Sequence, residues 1–184
     1  MKKLMASLLA VFLLLLHAQA SPASAAASGQ GYQVFLQLEG IQGESTVKGY
    51  EKWIELSSLS YQFASSGAVF QPGIGGGGKV SFDSFAIAKQ FDASSIPLML
   101  QAFGGKSIPK GKIVFTRANK GSLTPILMFE LDEIFVQDYS FSDTQEDIKL
   151  VFSTIKWTYW PIDAKGSPMK PITGGWDIEQ HKPA

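Results

Sequence analysis

The 184-residue chain balances 16 basic against 16 acidic side chains and contains no cysteine. Its charges are dispersed, so it lacks the one-signed field that draws nucleic acid or anionic lipid, and without thiols it can form neither a disulfide nor a thiolate metal site. Thirteen phenylalanines in one chain of this length call for a sizeable core or interface.

The chain opens with Met1-Lys2-Lys3, an apolar run over residues 4–16 and the triplet Ala18-Gln19-Ala20. A basic start, a short apolar stretch and a small-x-small site make up a secretory leader. The apolar run is too short to prefer spanning a bilayer. Cleavage after Ala20 is therefore expected to release an exported chain, periplasmic or secreted, with no membrane span. Loss of Lys2 and Lys3 leaves it an excess of two acidic side chains. Residues 21–31 are small and flexible and read as a tether.

Val34, Leu36 and Leu38 share one parity in a first strand over residues 34–38. Gly40, Gly43 and Gly49 then bracket Glu44-Ser45-Thr46 in a loop with several permissive backbone positions. This loop lacks the glycine–lysine–serine/threonine ending of a phosphate loop, and no helix-forming run follows it. A second strand region runs from Trp53 to Phe63. Residues 64–79, with four glycines at 75–78, read as a long loop, and residues 80–87 return as a strand.

One helix is predicted over residues 95–103. Asp92 or Ser94 is its cap, Pro97 sits in its first turn, and Gly104-Gly105 stops it. Residues 112–117 form another strand. Residues 123–159 then carry two long runs with a period of two, joined by a polar connector over residues 142–146, and read as a long β-hairpin. Both parities hold apolar residues, at Met128 with Phe129 and at Val151 with Phe152, so a single interior does not obviously absorb them all. Residues 164–184 read as a C-terminal tail or extension that orders only against a partner. The expected architecture is mainly β: an antiparallel β-barrel with one short flanking α-helix, formed by residues 32–163.

Chemistry is hard to find. His17 lies in the leader and His181 in the tail, so a serine nucleophile has no credible base and no metal-ligand spacing appears. Asp132 and Glu133 are neighbours that a strand would point to opposite faces. Asp83 and Glu130 could approach across a sheet, at a separation the sequence does not fix. No enzyme, cofactor or metal is expected. Trp53, Trp157 and Trp160 form either an aromatic surface for carbohydrate or protein, or part of a core and subunit seam. The residues point to binding or assembly.

The segment Phe35-Leu36-Gln37-Leu38-Glu39-Gly40-Ile41-Gln42-Gly43-Glu44-Ser45, with Gly49 and Ile54-Glu55-Leu56, resembles the opening of the type VI secretion tube proteins, the haemolysin-coregulated (Hcp) family. Phe91-Asp92 and Ser95-Ile96-Pro97-Leu98 resemble that family's entry into its helix. A third block runs from Ile134 through Tyr139-Ser140 and Glu146 to Ile155-Lys156-Trp157-Thr158-Tyr159. The resemblance covers about residues 32–159. It implies a barrel protomer that closes into six-membered rings, which stack into an inner tube, meet spike and sheath proteins and can carry effectors. It implies no catalytic residues. It makes Gly43, Glu44 and Ser45 candidates for a ring or stacking contact. The leader is a departure, because family members normally leave through the apparatus itself. An exported barrel that binds carbohydrate or protein outside any contractile machine is the alternative.

Overall fold

The computed structural model describes residues 31–66, 79–119, 121–164 and 166–184. The expected leader, the tether up to residue 30 and the glycines at 75–78 lie outside the described residues. Among the described residues, ten strands and one helix follow in order: β1 (Tyr32–Leu38), β2 (Ile54–Leu56), β3 (Ser58–Ser66), β4 (Lys79–Gln90), α1 (Ser95–Gly104), β5 (Ile108–Asn119), β6 (Ser122–Ser142), β7 (Gln145–Val151), β8 (Thr154–Tyr159), β9 (Ile172–Asp177) and β10 (Lys182–Pro183). Every pairing is antiparallel. One path runs β10-β9-β8-β6-β5-β1-β2, and a second leaves β6 through β7 and β4 to β3.

Alternation sets the core face of each strand. Leu36, Ile113, Phe129 and Trp157 form one cross-strand row, and Leu38, Gly111, Leu131 and Ile155 form the next. On the second path Phe85 sits opposite Leu150 and Ile87 opposite Ile148. The Tyr61 ring stacks on Phe85 with centroids 4.3 Å apart. These two apolar surfaces meet in one core. Gly111 is required there: a Cβ would lie 2.5 Å from Ile134 Cδ1 and 3.0 Å from Leu38 Cδ2.

The long hairpin expected over residues 123–159 forms, but it is interrupted. β8 pairs with β6 as far as Asp132–Thr154, and β7 takes over at Phe135–Val151. In the gap Glu133 adopts φ 49°, and both the amide and the hydroxyl of Ser153 donate to the Asp132 carbonyl, at 3.0 and 3.2 Å. The irregularity turns Ile134 fully inward and passes β6 from one sheet path to the other. The C-terminal segment also departs from expectation. It needs no partner to order, because β9 adds to β8 and β10 to β9 within the same chain.

Helix α1 is fixed at its start by a buried polar cluster. Lys89 and Glu146 are register partners on β4 and β7, both fully buried, and they form an ion pair. The Lys89 ammonium also donates to Asp92 Oδ1 at 2.8 Å, Ser95 Oγ at 2.9 Å and the Gln90 carbonyl at 2.9 Å. Ser95 Oγ donates to Glu146 Oε2 at 2.8 Å, and the Tyr139 hydroxyl donates to Glu146 Oε1. Ser94 is the N-cap residue but makes no side-chain cap bond. Asp92 Oδ1 instead accepts from the amide of Ser94 itself at 2.9 Å, which fixes the turn that leads into the helix. Gly105 ends the helix in the left-handed region at φ 56°, as its position after the apolar run predicts.

Removing one partner strands the other charge in the core, which costs about 3–5 kcal/mol. Lys89→Met is therefore expected to lower the urea-unfolding free energy by that amount. The Lys89→Met/Glu146→Leu double variant is expected to lose clearly less than the single one. Equal losses would show that the ion pair is not what Lys89 contributes.

Candidate functional site

The loop between β1 and β2 carries the trio singled out in the sequence, and its shape follows from Phe35. Phe35 has the opposite parity to Leu36 and so points away from the core, yet it is buried. Tyr50 covers it, ring on ring, with centroids 4.4 Å apart and planes 9° from parallel, and Trp53 meets Tyr50 edge-on at 5.2 Å. The loop therefore folds back over the outer face of β1. Its two limbs pair: Gly43 N–H donates to the Lys52 carbonyl at 2.8 Å, Lys52 N–H to Ser45 at 2.8 Å and Ser45 N–H to Trp53 at 3.1 Å. Gly43 lies so close to the opposite limb that a Cβ would sit 2.7 Å from Ile54 Cα.

Within the trio, Glu44 alone presents an exposed side chain. Ser45 is buried, and its hydroxyl accepts from the Val47 amide at 3.3 Å inside the loop. Gly43 and Ser45 shape the loop, and Glu44, Thr46 and Lys48 form its outer surface.

Trp53 and Trp157 lie on different faces. Trp53 belongs to this loop on the outer face. Trp157 lies on the core face of β8, between Phe129 on β6 and Gly174 on β9, where a Cβ on Gly174 would come within 3.0 Å of its indole nitrogen. Trp160 follows β8 and donates its amide to the Ile126 carbonyl at 2.9 Å. All three are half-buried. Part of the hairpin's apolar surplus is absorbed: Phe152 is buried, and Phe129, Met128 and Val151 are half-buried. Among the described residues, exposed large apolar side chains are found at Phe63 on β3, at Phe135 and Phe141 on β6, at Ile96, Leu100 and Phe103 on α1, and at Tyr159, Met169 and Ile172 around β8 and β9. The helix stripe was readable from its spacing of four and three.

Together these features define a class. This is a mainly β protein whose buried polar groups serve its own geometry and whose exposed apolar side chains include a row on α1 and a cluster around β8 and β9. The family profile described as type VI secretion system effector, Hcp, matches residues 35–159. The chain belongs to the Hcp family, whose members are structural tube proteins secreted through the type VI system and not enzymes.

Solved structures agree. Hcp1 from Salmonella typhimurium is 27% identical with a TM-score of 0.69, covering 84% of this chain and 99% of its own. A structure described as a type six secretion system protein superposes with a TM-score of 0.74 at 22% identity, covering 83% and 99%. Hcp2 from Salmonella typhimurium gives 0.61 at 24%, covering 82% and 98%. These last two speak to the fold alone. No curated protein matches the chain.

Burial raises the Tyr50 hydroxyl above its ordinary pKa of about 10 by desolvating the phenolate. The folded state then holds a proton that the unfolded chain releases. The resulting stability is intact below about pH 10 and falls as pH rises toward the folded value. Tyr50→Phe is expected to remove this part of the alkaline loss, read as a smaller drop in melting temperature between pH 9 and pH 11 than the parent shows. An identical drop in both would mean that Tyr50 ionisation does not limit the loop.

Proposed function

We propose that the chain closes into six-membered rings that stack as the inner tube of a type VI apparatus, meet spike and sheath proteins, and carry small effectors in the lumen. The observation that carries this reading is the family match over residues 35–159, joined to a fold shared with Hcp1 along almost its whole length. The number six comes from the family.

Closure of each protomer into a barrel belongs to the same proposal. The pairing circuit supports it: β1 pairs with β5, β5 with β6, β6 with β7, β7 with β4 and β4 with β3, while β2 pairs back to β1. β2 and β3 are separated only by Ser57, whose amide donates to the Ala88 carbonyl at 2.8 Å. Glu44, exposed on one limb of the loop, is proposed as a ring or stacking contact. It sets geometry more than affinity, since a rim ion pair contributes about 0–1 kcal/mol. Residues 1–20 are proposed as a cleaved leader.

Sedimentation velocity and particle imaging of protein beginning at Ser21 test the assembly, with monodisperse rings of six as the expected result. A strictly monomeric species at high micromolar concentration, across several salt conditions, would overturn it. Amino-terminal sequencing from native cells tests the leader separately: a start near Ser21 is expected, and intact residues 1–20 in the functional pool would refute cleavage.

A further inference from the structure

Helix α1 has ten residues, SIPLMLQAFG, and none is charged. Ser95 and Leu98 are buried, whereas Ile96, Leu100 and Phe103 are 55%, 63% and 84% exposed. Spacings of four and three put those three on one face. Phe91, just ahead of the helix, is exposed as well. A helix that is apolar all round is normally covered on every side. Among the described residues, α1 packs against β6 and its other face is exposed.

A second apolar surface lies on β8 and β9. Tyr159 and Ile172 are register partners, and both are exposed, as is the nearby Met169. The two surfaces sit at opposite ends of the longest strand. Tyr159 pairs with Leu127 near the start of β6, whereas α1 meets β6 at Tyr139, whose hydroxyl lies 3.5 Å from the Ser95 carbonyl oxygen. At about 3.3 Å per residue, the path from Leu127 to Tyr139 is roughly 40 Å of strand contour.

We propose that the open face of α1 in one copy docks on the Tyr159–Ile172 surface of a second copy, in a head-to-tail contact. This rests on the assembly reading above and assigns its surfaces. A two-fold contact needs one self-complementary patch, whereas a head-to-tail contact needs two unlike patches on one chain, placed so that both can be used at once. The α1 face and the Tyr159–Ile172 surface are two such patches on one chain, and Phe63, Phe135 and Phe141 are exposed besides them. A second copy supplies the two patches in equal number, and ring oligomers are a property of the family.

The absence of cysteine makes the contact directly readable. Chains carrying Phe103→Cys or Ile172→Cys, one of them tagged to change its mass, are co-expressed and treated with a short bismaleimide. The expected product is a crosslinked pair containing one chain of each kind. Neither single variant expressed alone is expected to crosslink to itself, and adding Leu100→Asp to the Phe103→Cys chain is expected to abolish the mixed band. Self-crosslinking of the Phe103→Cys chain would overturn the head-to-tail assignment in favour of a two-fold contact. No mixed band from protein that still sediments as rings would overturn the surface assignment and leave the assembly reading standing. Parent protein that sediments only as a monomer would remove both.

Discussion

The ion pair between Lys89 and Glu146 is the constraint around which the fold is arranged. Four elements reach it: β4 through Lys89, β7 through Glu146, β6 through Tyr139 and α1 through Ser95. An ammonium has three protons to give. Four oxygens wait for them, on Glu146, Asp92, Ser95 and Gln90, so neither charge is left bare in the core. Desolvation consumes much of what such a pair gains, so its net contribution to stability is small beside that of an apolar replacement. Its effect is on placement. An apolar plug would tolerate α1 sliding along the sheet, whereas these directed bonds are satisfied together in the one position seen, which holds the open face of the helix outward.

Strand β6 carries that placement across the molecule. Its first part pairs with β5 and β8 and its last part with β7, so it belongs to both sheet paths. A strand of 21 residues cannot follow both paths while staying regular, and two of its irregularities fall where it changes partners. One is at Glu133, and a register shift follows between Val136 and Asp138. The inward turn of Ile134 is accommodated by the missing side chain at Gly111 on the neighbouring strand. A substitution at Gly111 would therefore act on the bend in β6 as much as on β5.

Much of this was legible in the sequence. The period of two over residues 123–159 gave the long hairpin, and the apolar run ended by two glycines gave α1. The break at Phe152-Ser153 was not legible, because both parities there are apolar and alternation carries no information. Lys89 was legible and overlooked: it shares parity with Phe85 and Ile87, and Glu146 shares parity with Ile148 and Leu150. Extending either row by two residues places a charge on the core face, which is a signal for a buried pair. β9 was hidden by Gly174-Gly175, a poor strand signal. Those glycines are there for close approach, since a Cβ on Gly174 would crowd the Trp157 ring and one on Gly175 would lie 3.0 Å from Lys156 Cγ. The aromatic-surface reading of Trp53, Trp157 and Trp160 rested on residue type alone, and residue type does not say which side of a sheet a ring occupies.

The way charge is arranged on the outer sheet face narrows what the protein can work through. Lys112, Glu130 and Lys156 follow one another across β5, β6 and β8, with Lys112 and Glu130 3.0 Å apart. Lys110 faces Asp132 at 3.6 Å, and Lys149 faces Asp138 at 3.3 Å. Each pair is exposed and contributes about 0–1 kcal/mol, so none is a stability device of consequence. What the alternation does is cancel the field: a face whose neighbours differ in sign neither attracts a polyanion nor steers a charged ligand over distance. Association then depends on short-range packing, which is strong only where shape and apolar area coincide. In this chain the exposed apolar side chains on α1 and at the end of the β8–β9 ladder are two places that offer such area.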